Sequence, residues 1–162
     1  MKLSYRVSDV LRGLLIYSTG DSIASILLSE FSLLRTLGMM LIGGTVYAFE
    51  IPNYFRWIDS KTAGVTGLRG SLSKAGLAIL YFNPLWISRH LLFIQILSGR
   101  WDCINWNLLS LGLYSFAANV PVAFTANYVI QNKIPLEWRF FSSAVFSSIM
   151  AIYYALSQVI FT

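Results

Sequence analysis

Asp21 places an ionisable carboxylate inside a long apolar stretch, and Arg89, His90 and Glu50 do the same with other titratable groups further along the chain. Carrying a charged carboxylate to the centre of a membrane helix costs about 2.5–3.5 kcal/mol on insertion scales. Such groups therefore face a bundle interior, a partner or a water-filled path. Ser18, Thr19, Ser22 and Ser25 make the surroundings of Asp21 polar, and Gly20 admits a neighbouring backbone. Asp21 thus reads either as the lining of a solute or ion pathway or as a carboxylate paired to another helix. Arg89 is its expected partner, somewhat beyond mid-depth in its own span, unless its long stem carries the guanidinium to the interface instead. His90 lies about 100° round the helix from Arg89, so the two cannot face one partner. It reads as a histidine hydrogen-bonded within a bundle. Glu50 precedes Pro52, which lacks a backbone donor and can bend a helix, and Pro84 and Pro121 supply two further such points.

The elements that must hold these groups are five apolar stretches, at about 10–31, 33–55, 75–97, 106–129 and 140–161. A hydrocarbon core about 30 Å thick needs about 20 mostly apolar residues per spanning helix. Composition agrees: 56% of residues are hydrophobic and 12% charged, where a soluble domain carries about 25% charged residues. Mean hydropathy is +0.63. Helices satisfy their own backbone hydrogen bonds in lipid. The predicted fold class is therefore all-α: a polytopic transmembrane helical bundle of four to five spans, forming a single integral membrane domain over 1–162. The last two stretches carry no Asp, Glu, Lys, Arg or His. The first three are interrupted by Arg12 and Asp21, by Arg35 and Glu50, and by Arg89 and His90.

The cations alternate from one connection to the next. Lys2, Arg6 and Arg12, then Arg56, Lys61, Arg69 and Lys74, then Lys133 and Arg139 fall on one side; only Arg35 and Arg100 fall on the other. The positive-inside rule places the first set on the cytoplasmic or matrix face. Trp57, Trp101, Trp106 and Trp138 sit at span ends, at the headgroup level that amphipathic rings prefer. The stretch 59–74, rich in Gly, Ser and Thr, reads as the one substantial loop. Gly38, Gly43 and Gly44 are expected at close helix contacts.

Several function classes lose their footing. The net charge of +5 is accounted for by topology, and no basic stripe with interleaved aromatics indicates nucleic acid. No Cys/His cluster indicates a metal, no Gly-rich phosphate loop indicates a nucleotide, and no cofactor is expected. The lone Cys103 leaves no intrachain disulfide. The first apolar stretch does not have the form of a cleavable signal peptide. Asp21, Glu50 and His90 match no catalytic constellation, so the chain is not expected to be an enzyme.

Gly20-Asp21 with Ser22-Ile23-Ala24, Arg35-Thr36 opening the second stretch, Gly43, and Tyr54-Phe55 followed by Asp59 form an ordered pattern. It continues in Lys74, in Pro84, and in Ile134-Pro135 leading through Glu137 and Trp138 to Arg139, with Tyr154 and Ser157 near the end. In this order and spacing the chain resembles the peroxisomal-membrane 22-kDa protein family, the Mpv/PMP group of mitochondrial inner-membrane and peroxisomal proteins, over about 17–157. It departs from that pattern at Ala48-Phe49, where the family has Gly-Pro, and at Ala78-Ile79, where it has Asp-Gln. It also lacks the family's Trp-Pro and the glutamine before the last proline, with Asn127 the nearest amide.

The resemblance implies a small integral protein of an organellar membrane, the mitochondrial inner membrane first and the peroxisomal membrane second. It also implies channel-like permeability to small solutes or ions. Gly20, Asp21, Arg35, Pro135 and Arg139 are the family-motif positions retained here. The expected partners are membrane lipid and either further copies of the chain or a larger membrane complex. The alternative is a structural accessory subunit of such a complex, in which the polar groups only hold helices together.

Overall fold

The computed structural model describes residues 3–161, with side chains described through 152. Lys2, one of the cations counted above, and the side chains at 154–157 in the family pattern lie outside the described residues. The described chain is 84% helix with no strand, so the fold class is all-α. In chain order the helices are α1 (Val7–Leu27), α2 (Leu33–Ile42), α3 (Ala48–Lys61), α4 (Gly67–Tyr81), α5 (Pro84–Leu97), α6 (Asn107–Lys133) and α7 (Leu136–Phe161). A π-helical turn at Gly43–Tyr47 joins α2 to α3, and a 3-10 turn at Trp101–Cys103 precedes α6.

Local chemistry explains the ends. Ser32 caps α2 by accepting from the Arg35 backbone N–H, and Asn83 caps α5 by accepting from that of Trp86. α1 stops where Ser29 adopts φ 58° and the Glu30 and Ser29 N–H groups turn back to Ser25 and Ile26 carbonyls. α5 ends in the same motif with Gly99 at the left-handed position (φ 67°), where the absence of a Cβ removes the steric penalty.

Two expectations change here. The stretch 59–74 is mostly helix: α3 runs on to Lys61 and α4 begins at Gly67, leaving a short turn. Thr62 extends α3 by donating its hydroxyl to the Ile58 carbonyl, and Gly64 and Gly67 supply the positive φ values the turn requires. The third stretch is two helices, because Pro84 occupies the first turn of α5, where its missing N–H is harmless. Pro52 and Pro121, by contrast, lie within helices.

The chain divides into two compact units. One comprises 3–52 and 140–162. In it α1 packs on α2 and on the π turn, around buried Tyr17, Met39, Tyr47, Phe140 and Ala144. The approach is closest at Gly13: a Cβ there would collide with the Gly43 carbonyl, and a Cβ on Gly43 with that of Gly13. Gly43 and Gly44 are thus close contacts, as the sequence led us to expect. Gly20 lies equally close to Ser148 of α7, whose hydroxyl donates to the Ile16 carbonyl.

The other unit comprises 53–139. Here α6 packs on both α4 and α5, with Phe55, Ile58, Ala75, Ala78 and Ile130 buried. Ser88 donates to the Leu108 carbonyl across α5 and α6, and the Asn132 amide donates to that of Ser71 across α4 and α6.

Gly67–Leu97 and Asn107–Lys133 are long and apolar enough to cross a membrane. Only 11% and 6% of their most apolar windows are buried inside the structure. Large apolar side chains face outward along other helices too, among them Leu11, Leu15 and Ile26 of α1 and Leu33, Leu37 and Leu41 of α2.

Candidate functional site

In the unit of α1, α2 and α7, Asp21 is buried and fully engaged. Arg35 donates from Nε to its Oδ2 (2.9 Å) and from Nη2 to its Oδ1 (2.6 Å), a bidentate charge-assisted pair. The expected partnership with Arg89 is therefore corrected: Arg35, in the first turn of α2, takes both oxygens. The physical reason is connectivity. α1 ends at Leu27 rather than near residue 31, so Asp21 lies about 9 Å from the helix end. A tight turn brings Arg35 back alongside it. Glu30 approaches Arg35 Nη1 at 3.7 Å but is largely solvated. Three of the polar neighbours are hydrogen-bonded within α1 or to α2. Ser18 and Ser25 donate to carbonyls of their own helix, and Ser22 bonds Thr36 of α2.

Arg89 and His90 both lie on α5 and are half-buried. Arg89 follows Ser88, whose hydroxyl donates to the Leu108 carbonyl in the first turn of α6. It lines an open 420 Å³ hollow with Leu85, Leu92, Asn105 and Trp106. His90 stacks on Trp86, ring centroids 5.6 Å apart and planes within 2°. Glu50 is half-buried in the first turn of α3.

A second cluster gathers three residues of the family pattern. Asp59 of α3 accepts from Lys74 Nζ of α4 at 2.8 Å and from Arg139 Nη1 of α7 at 2.8 Å. Arg139 also donates from Nε to the Ile134 carbonyl, just before Pro135, and from Nη1 to Gln131 Oε1 of α6 at 3.4 Å. Partial burial pushes the Asp59 carboxyl up, but hydrogen bonds and charges from Lys74 and Arg139 outweigh it and hold the group below its ordinary 3.8. One carboxylate thus ties α3, α4 and the first turn of α7 together.

One turn back from Gln131 on α6 lies Asn127, on the same face; Asn119 and Ser115 lie further along the helix and turn progressively away from it. Asn119 and Asn127 each donate to the carbonyl four residues back, at Ser115 and Ala123. Asn127 is 3% exposed and Gln131 0%. Nevertheless Asn127 Oδ1 and Gln131 Nε2 have no hydrogen-bond partner among the described residues. Sequence reasoning passed over the pairing of Asn127 with Gln131 because amides in an uncharged run lower hydropathy too little to interrupt it. The signal was their spacing of one helical turn.

Among the described residues no group of His, Cys, Asp and Glu could hold a metal ion. No family model, no curated protein and no solved structure matches the chain. The arrangement of its own residues therefore carries the functional reading.

Proposed function

We propose that this chain is a polytopic integral membrane protein of four to five spans, of the peroxisomal-membrane 22-kDa type, that contributes to the permeability of its membrane to small solutes or ions. The observation that carries this reading is the pair of buried amides on α6. Asn127 and Gln131 lie one turn apart, and each has one amide atom without a partner among the described residues. A polar atom left unpartnered away from water costs about 1–3 kcal/mol, which favours a site that is hydrated or occupied. The apolar outward faces of α4–α6 supply the lipid contact. The mitochondrial inner membrane, then the peroxisomal membrane, follow from the resemblance alone.

A second reading has its own observation. The bidentate Asp21–Arg35 pair and the Asp59 junction close ionic groups upon each other, as an accessory subunit of a larger complex would use them. Purified protein in proteoliposomes decides between the two. Solute or ion flux above that of empty vesicles, reduced by Asn127→Leu and not by Asp21→Asn, supports permeability through the α6 face. Absence of flux from folded protein, with stable co-purification of other subunits, supports the accessory role.

A further inference from the structure

Asn127 and Gln131 lie one turn apart on α6, and each leaves one polar atom unmatched. Their orientations are set by their other bonds. Asn127 Nδ2 donates to the Ala123 carbonyl at 2.9 Å, which fixes Oδ1 as the free acceptor. Gln131 Oε1 accepts from Arg139 Nη1 at 3.4 Å, which fixes Nε2 as the free donor. Amide orientation is ordinarily assigned from just such partners. The two free atoms are therefore of opposite kind, and both residues are more than nine-tenths buried.

We infer that Asn127 and Gln131 form a binding site for one small neutral molecule that donates and accepts hydrogen bonds at once: water at rest, or the hydroxyl of a small polyol. Such a molecule donates to Asn127 Oδ1 and accepts from Gln131 Nε2, which removes both unmet bonds. Buried waters make two to four hydrogen bonds in sites of this kind. Ions fit poorly. A cation satisfied by Oδ1 meets the Gln131 N–H dipole and the Arg139 guanidinium next to it. An anion drawn to Nε2 meets Asn127 Oδ1 on its other side. As a statement about the permeant this rests on the permeability reading; as a binding site it does not.

The test uses the whole chain in lipid nanodiscs and in proteoliposomes. Isotope-filtered magnetic resonance should give a water cross-peak at the Gln131 side-chain amide, lost in Asn127→Leu. It should persist in Asn127→Ser, which keeps an acceptor and leaves room. Absence of the cross-peak in wild type, or its persistence in Asn127→Leu, overturns the site. In vesicles, glycerol-driven volume change should exceed that of empty liposomes and fall at least tenfold in Asn127→Leu, with Asn127→Ser near wild type. Ion currents from wild type without glycerol flux would overturn the neutral permeant while leaving permeability intact. A cross-peak with no flux of either kind would overturn the permeability reading and uphold the site.

Discussion

Removing Arg35 should destabilise the unit built on α1 and α2 far more than removing the whole ion pair does. Both side chains are about 5% exposed, and two short hydrogen bonds join them. With an effective dielectric of about 20, unit charges some 4 Å apart attract by about 4 kcal/mol. Arg35→Met removes that attraction and leaves a buried carboxylate, which costs about 3–5 kcal/mol. Asp21→Leu should cost about as much, because it leaves the buried Arg35 guanidinium with only the largely solvated Glu30, 3.7 Å away. The double variant Asp21→Leu with Arg35→Met fills the space with apolar groups and should return to within about 1–2 kcal/mol of wild type, since buried pairs and well-packed apolar replacements are often equivalent. Unfolding in mixed micelles, followed by helical circular dichroism, gives the four free energies and hence the coupling. A double variant whose loss equals the sum of the single losses would refute the reasoning, because independent groups add.

Four further outcomes follow from particular residues. Asp59 has a folded pKa below its unfolded value, so its stabilising contribution is present above about pH 4 and is lost as pH falls through the folded value; thermal midpoints of wild type and Asp59→Asn should converge below that pH, and a constant gap would contradict the assignment. Ser29→Gly should stabilise the chain by about 1 kcal/mol by relieving the left-handed backbone at φ 58°, while Gly99→Ala should destabilise it by about as much, both read from unfolding midpoints. Gly13→Val should cost about 1–3 kcal/mol through collision with the Gly43 carbonyl, whereas Gly76→Ala, with open space around it, should be tolerated. Arg139→Lys keeps the charge but loses the fork that reaches Asp59, Ile134 and Gln131 together, so its unfolding midpoint should fall nearly as far as that of Arg139→Met.

Much of the local structure was legible along the chain because it depends on short-range chemistry. Apolar stretches of about 20 residues became helices, since a helix meets its own backbone hydrogen bonds wherever it lies. Gly43 and Gly44 marked a close contact because only residues without side chains let backbones approach. The break at Asn83-Pro84 was visible as a proline, although whether it would bend a helix or start a new one depended on the Asn83 cap. The stretch 59–74 misled for the opposite reason: its glycines and serines weaken helix propensity, but α4 buries Gly70, Ala75 and Ala78, and its packing against α6 outweighed the propensity.

The sequence by itself determined an all-helical chain with long apolar stretches, and the position of each ionisable group along them. Which groups meet was decided only in three dimensions. Asp21 took Arg35 and not Arg89 because a turn of a few residues folds α2 back beside α1. Asp59, Lys74 and Arg139, separated by 15 and 80 positions from the carboxylate they share, came together because three helix ends converge. Asn127 and Gln131 acquired interest only once burial had left one atom of each without a partner, for spacing along a helix fixes a face but not what that face meets.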